Sequence, residues 1–240
     1  RKGYPAQEKS VCHFSKQPRR CGQPLSAGRR AVRPRWRFCA MCFAGHDNGC
    51  HNAGMDTLTL AHHFLIAMPS MTDPLFAKSI VYICEHGDQG AMGMIINKPS
   101  GLVLAQLLEQ IDLPLANDEA NTVPVHFGGP VQPDRGFVLH MPIGNWQSTL
   151  TITDDMALTT SKDILQAVSE AQGPDKLLVS LGYSGWEKGQ LEEEIAANQW
   201  LTVAAADWVI FDTPSEARFD SAIKLLGFDP ALLCTDAGHA

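Results

Sequence analysis

The chain has 240 residues, a hydrophobic fraction of 45% and a formal net charge of -7 at pH 7. No apolar run approaches the ~18 residues of a membrane-spanning helix, so the composition argues against a membrane protein. The charge is unevenly divided. Residues 1–54 carry eleven Lys or Arg and two acidic residues. Residues 55–240 carry eight Lys or Arg and twenty-four acidic residues, which gives that part a net charge of -16. That second part repels a polyanion, which argues against direct nucleic acid binding by it.

Residues 1–54 show neither helical nor strand periodicity and are rich in Arg, Pro and Gly. Such a composition buries too little apolar surface to offset its ordering entropy. We therefore expect a non-native or disordered N-terminal extension, with translation beginning at Met55 or Met41. A basic arm for nucleic acid is one alternative. A zinc site is the other, although the spacing misses that of a zinc knuckle; its ligands would come from Cys39, Cys42, His46, Cys50 and His51.

From Met55 onward, apolar runs alternate with turn residues and predict a single domain over 55–240. The runs that predict strands are residues 64–68, 79–84, 91–96, 123–127, 136–140, 148–153, 177–181 and 208–211. Helical spacing and cap residues predict helices that begin near residues 101, 160, 184 and 213. Early strands are joined by turns and later ones by helices. This order predicts an α+β fold with a mixed, mostly antiparallel sheet.

Seven blocks of the chain carry a resemblance to a known family. They are residues 62–69 (HHFLIAMP), 81–87 (VYICEHG), 90–99 (GAMGMIINKP), 128–131 (GGPV), 134–140 (DRGFVLH), 181–191 (LGYSGWEKGQL) and 237–240 (AGHA). Together these blocks resemble the AlgH/YqgE family of bacterial proteins. The resemblance implies a split, pseudo-barrel-like sheet with helices packed on it. The family is largely uncharacterised, so no catalytic residue is carried over. One branch has been called a transcriptional regulator.

Four residues are candidates for binding a ligand: Arg135, His140, Ser184 and Trp186. Arg135 is one of two arginines in residues 55–240, and its guanidinium would either bind an anion bidentately or tie down its own loop. Ser184 has the strand-to-helix position of a nucleophile elbow, but the motif lacks its last glycine. We therefore interpret Ser184 as a helix N-cap that pairs with Glu187.

Other kinds of site have weaker support in the sequence. Backbone N–H groups near Gly182 and Gly185 would suit a phosphate, but the acidic residues that follow oppose it. Cys84 lies in an apolar run and is expected to be inert. Dispersed histidines are more often structural than metal ligands; those considered are His62, His63, His86 and His140. No metal or cofactor motif occurs, so we predict no catalytic residue, metal or cofactor.

These observations favour a cytoplasmic, non-enzymatic binding or regulatory protein. Two cysteines in residues 55–240 provide no disulfide framework, as expected for a reducing compartment. The expected partner is another protein, and a small-molecule ligand is the second kind of partner considered. One alternative is an enzyme of unrecognised type, with a pocket near Gly128–His140 and Gly182–Gly189. A structural or assembly role is the other.

Overall fold

Ten strands form one sheet in the computed structural model, which describes residues 59–113 and 122–227. The expectations for residues 1–54 fall outside the described residues. The strands are β1 His63–Ala67, β2 Ile80–Gly87, β3 Gly90–Ile95, β4 Pro99–Val103, β5 Pro124–Phe127, β6 Val131–Met141, β7 Thr149–Thr151, β8 Ala157–Thr159, β9 Lys176–Glu187 and β10 Trp200–Ala204.

The sheet has the order β10-β1-β2-β3-β9-β6-β8-β7, with β4 and β5 branching from it. Only the β5–β9 pair is parallel among the described strands. The twelve-residue strand β9 joins the two halves of the sheet, because one end pairs with β3 and the other lies between β5 and β6. This arrangement confirms the predicted mixed, mostly antiparallel sheet.

Helices cover both faces of the sheet. They are α1 Leu104–Gln110, α2 Lys162–Ser169, α3 Gln190–Ala196, α4 Asp207–Phe211 and α5 Arg218–Leu225, and a 3-10 turn at Ser215–Ala217 precedes α5. Neighbouring residues of β1 enter different cores: Phe64 packs in the cluster that includes α4 and α5, whereas Leu65 packs beside α3. Both faces are therefore buried, which explains the continuous apolar runs. No helix in the described part of the chain is long and apolar enough to cross a membrane.

Two local predictions were wrong. The run Trp208–Phe211 forms part of α4 and not a strand; Val209 and Ile210 face the core while Trp208 is 47% exposed. The helix expected after Ser184 begins only at Gln190, because Ser184 to Glu187 pair with β3. Tertiary context overrides local propensity in both places: packing of one helix face against the core at Trp208–Phe211, and the hydrogen bonds of the sheet at Ser184–Glu187.

Candidate functional site

A wide bulge in β6 lifts four residues out of the sheet. Between the pairs Val131↔Tyr183 and Gly136↔Leu181, β6 contains four residues where β9 contains one. The four residues are exposed, in contrast to the buried stretch that follows. We call residues 132–135 the Arg135 bulge. Bulges of this kind re-aim side chains and are over-represented beside functional sites.

Glycines permit the backbone contacts beneath the bulge. A Cβ on Gly128 would lie 2.2 Å from the Gly182 carbonyl oxygen, and one on Gly182 would lie 2.4 Å from that of Gly129. Gly182 also has a φ of +71°, a conformation that suits glycine. The two glycine-containing segments singled out in the sequence, 128–130 and 182–185, therefore lie against each other at the base of the bulge.

The Arg135 guanidinium is held on the surface by neutral groups. It donates to Thr160 Oγ1 at 2.9 Å and to Gln132 Oε1 at 3.4 Å, and its Cζ lies 5.8 Å from the centroid of the Phe137 ring. Phe137 in turn packs against Tyr183, with 5.4 Å between ring centroids. Of the two ion pairs that the described residues form, neither involves Arg135. Its charge is thus fixed in place without a carboxylate partner from this part of the chain.

The Tyr183 side chain lies close enough to Arg135 for the charge of the guanidinium to affect its pKa. Partial burial raises the pKa of Tyr183, while the nearby Arg135 lowers it in part. The guanidinium fork matches the geometry of carboxylate and phosphate groups, and a guanidinium already held over an aromatic ring needs little further ordering to bind one.

His140 is fully buried and its ring nitrogens are both engaged. Nδ1 lies 3.0 Å from the Pro142 carbonyl oxygen, and Nε2 lies 2.9 Å from Thr159 Oγ1. Because a carbonyl only accepts, Nδ1 donates and Nε2 accepts from the threonine hydroxyl. Burial lowers the pKa of His140, which favours this neutral form. The structure places His140 inside the sheet, away from the exposed bulge.

Ser184 and Trp186 are also buried, and they face internal partners. Ser184 Oγ donates to the Gly128 carbonyl oxygen at 3.2 Å, so the interpretation of Ser184 as a helix N-cap is wrong. Trp186 Nε1 donates to Glu194 Oε2 at 2.9 Å. Of the four candidate residues, only Arg135 presents its functional group to solvent.

Sequence reasoning missed a buried polar cluster formed by His126, Ser215 and Arg218. His126 Nε2 lies 2.8 Å from Ser215 Oγ and 3.1 Å from Arg218 Nη1, and Nδ1 lies 3.3 Å from the Val179 carbonyl oxygen. Arg218 also donates to the Ile96 carbonyl oxygen. No short motif reveals this cluster, because His126 and Ser215 are 89 positions apart.

A serine hydroxyl beside an imidazole resembles a nucleophile–base pair, but the surroundings disfavour that chemistry. Burial, and secondarily the charge of Arg218, lower the pKa of His126 to about 4, which makes it a weak base at neutral pH. Ser215 is 8% exposed. Burial also lowers the pKa of Arg218 to about 10. We interpret the cluster as structural: its hydrogen bonds hold the start of α5 against the sheet.

The remaining histidines have separate partners. His62 Nδ1 lies 3.0 Å from Tyr82 Oη, His63 Nδ1 lies 3.0 Å from the Ala61 carbonyl oxygen, and His86 Nε2 lies 2.8 Å from Glu192 Oε1. Within residues 59–113 and 122–227, no group of three or more His, Cys, Asp or Glu is placed to hold a metal ion.

Comparison with known proteins places this architecture in a family. The AlgH-like family model matches residues 64–231. UPF0301 proteins of Chromobacterium violaceum and Laribacter hongkongensis are 67% and 60% identical to the chain over 186 residues, which is 78% of this chain and all of each relative.

Two solved structures have a similar fold. The solution structure of the AlgH protein from Pseudomonas aeruginosa is 48% identical, with a TM-score of 0.65 over 78% of this chain and 99% of that one. A crystal structure of a Corynebacterium diphtheriae protein is 16% identical, with a TM-score of 0.56 over 73% and 91% of the two chains, and shows a likeness of fold alone. The chain belongs to the AlgH-like family.

Proposed function

We propose that this chain is a non-enzymatic binding protein that recognises an anionic group on a protein partner through the Arg135 bulge. The observation that carries the proposal is the position of the Arg135 guanidinium, exposed yet fixed by Thr160, Gln132 and Phe137. Ordering a free arginine costs side-chain entropy on binding, and these contacts reduce that cost before a partner arrives.

The net charge of residues 55–240 limits the kind of anion that can bind at Arg135. Residues 55–240 have a net charge of -16, so a polyanion is repelled while a single carboxylate or phosphate still reaches one exposed arginine. Arginine presents two parallel N–H donors to such a group, which adds directionality to the attraction. A partner with an acidic side chain or a terminal carboxylate meets these requirements.

The proposal includes a regulatory role exercised through partners in the cytoplasm. The small number of cysteines after residue 54 supports a reducing compartment, and the neutral, internally bonded state of His126 and His140 supports a role without catalysis. These residues stabilise the fold and leave Arg135 as the exposed recognition group. The name AlgH belongs to the solved relative and carries no activity to this chain.

A thermal-shift series on the full chain tests the proposal. The probes are succinate, inorganic phosphate, phenyl phosphate and an acidic peptide with a free or amidated C-terminus. A ligand at 100 times its dissociation constant adds about 2.7 kcal/mol to the free energy of unfolding. At least one probe should raise the Tm of the wild type and leave the Tm of Arg135→Ala unchanged. Lys224→Ala, which removes an exposed cation elsewhere, is the control, and its Tm should rise as in the wild type. Equal shifts in all three proteins would refute a role for Arg135.

A further inference from the structure

A hollow lies over Gly185 on the face of β9 that carries Tyr183. An added Cβ on Gly185 would lie 3.3 Å from the Tyr183 ring and 3.9 Å from Val131 Cγ2, and apart from its chain neighbours no other described residue comes nearer. At Gly93 on the neighbouring strand, by contrast, an added Cβ would meet other atoms at 2.8 Å, 2.9 Å and 3.0 Å. Met92 pairs with Gly185, so its side chain borders the same face. We call the space between these side chains the Gly185 hollow.

The Gly185 hollow adjoins the Arg135 bulge. Its bordering residues are partly exposed, so solvent reaches it. Val131, which borders the hollow, is also the last paired residue of β6 before the bulge. Arg135 Cζ lies 5.8 Å from the centroid of the Phe137 ring, and that centroid lies 5.4 Å from the centroid of the Tyr183 ring. A fixed cation and an apolar hollow are therefore neighbours, with Tyr183 between the Phe137 ring and Gly185.

The Arg135 guanidinium keeps donors for a ligand. It carries five N–H groups, of which one donates to Thr160 and one to Gln132, so three stay free. Asp134 is exposed one position earlier and forms no ion pair with Arg135 in the described part of the chain. Its negative charge opposes a ligand with several negative charges more than a ligand with one.

We propose that the Arg135 bulge and the Gly185 hollow together bind the C-terminal residue of a partner protein, one with an apolar side chain and a free carboxylate. The carboxylate binds the Arg135 guanidinium and the side chain enters the hollow. This inference rests on the proposed function, because it identifies the anion that Arg135 recognises.

A chain terminus fits this pair of sites better than an acidic side chain does. In a terminal residue the carboxylate and the side chain share one Cα, so both reach adjoining sites at once. An internal Asp or Glu places its carboxylate at the end of its own side chain and leaves the hollow empty. A terminus also adds a single negative charge, as the acidic surroundings require.

An NMR titration of the isotope-labelled full chain with N-acetylated hexapeptides tests the proposal. One peptide ends in leucine with a free carboxylate, the second in leucine amide and the third in serine with a free carboxylate. The first should shift the amide signals of Arg135 and Gly185 and bind about tenfold more tightly than either of the others. Equal affinities for the leucine and serine acids, both weakened in Arg135→Ala, would overturn the inference and leave the proposed function intact. Binding of the leucine acid that persists in Arg135→Ala would overturn both.

Variants of the hollow give a second readout, and circular dichroism checks that each variant folds. Gly185→Val fills the hollow and should lower the affinity for the leucine acid to that for the serine acid. Met92→Gln keeps the length of the side chain but makes the border polar, and it should weaken the preference for leucine in the same direction. Gly87→Val is the control, because no heavy atom lies within 4 Å of an added Cβ at Gly87.

Two results of this series would contradict the proposal. An undiminished preference for leucine in both hollow variants would mean that the side chain binds elsewhere. Arg135-dependent binding of hexanoate that is tighter than binding of the leucine acid would identify a free fatty acid, and not a chain terminus, as the ligand.

Discussion

The indole groups of Trp186 and Trp200 meet across the sheet, with 6.3 Å between ring centroids, although three strands separate β9 from β10 in the strand order. Strands spaced about 4.8 Å apart would place β9 and β10 roughly 19 Å apart in a flat sheet. The sheet therefore curls strongly, into a half-barrel around the core beneath α3. Glu194 on α3 completes the contact, since its Oε2 accepts from both indoles at 2.9 and 2.8 Å.

We expect Glu194→Ala to destabilise the protein by about 2 kcal/mol or more, because two largely buried indole N–H groups lose their acceptor. Urea unfolding followed by circular dichroism measures the change. Glu193→Ala is the matched control, since it is the adjacent, exposed glutamate on the same helix. Its cost should stay below about 1 kcal/mol. Equal losses in the two variants would show that the shared acceptor is unimportant.

Glycine at position 128 should be required for the base of the Arg135 bulge. An added Cβ would lie 2.2 Å from the Gly182 carbonyl oxygen and 2.8 Å from Ser180 Oγ, so the strands must separate. We expect Gly128→Ala to cost about 1–3 kcal/mol in urea unfolding. At Gly87 no heavy atom lies within 4 Å of an added Cβ. Gly87→Ala should therefore change stability by less than about 1 kcal/mol, and a similar cost at both sites would contradict the explanation.

The sequence was informative where a pattern is local. Apolar runs located β1, β2 and β3, and the scarcity of arginine singled out Arg135. Sequence patterns gave no or wrong predictions where tertiary contacts determine the secondary structure. The five-residue strand β10 was not predicted, and Ser184 lies in a strand instead of capping a helix. The bulge itself depends on the register between β6 and β9, which no property of either segment alone specifies.

Cys84 should be protected from thiol reagents in the native protein. Its side chain is 3% exposed, and burial raises the pKa of the thiol far above its usual range, so almost no thiolate is present at neutral pH. We expect iodoacetamide to label Cys84 only after denaturation, as read by peptide mass spectrometry. The denatured sample gives the full extent of labelling. Rapid native labelling would mean that β2 opens readily or that its environment is more polar than the structure shows.

His126 should make stability depend on pH. Its folded pKa is about 4, below the usual 6.5, so the unfolded chain binds the additional proton between these values. The contribution of His126 is therefore fully present above pH 6.5 and is lost progressively as pH falls toward 4. Between pH 7 and pH 5 this linkage amounts to about 2 kcal/mol.

Comparison with His126→Gln isolates that contribution. The glutamine amide can still donate toward Val179 O and accept from Ser215 and Arg218, but it does not titrate. His62 and His140, whose pKa values burial also lowers, contribute equally in both proteins. Urea unfolding at pH 7 and pH 5 should therefore show a loss about 2 kcal/mol smaller in the variant. Identical losses of unfolding free energy in the two proteins would mean that His126 keeps an ordinary pKa. The hydrogen-bonded cluster between β5 and α5 would then have to accommodate a charged imidazole beside Arg218.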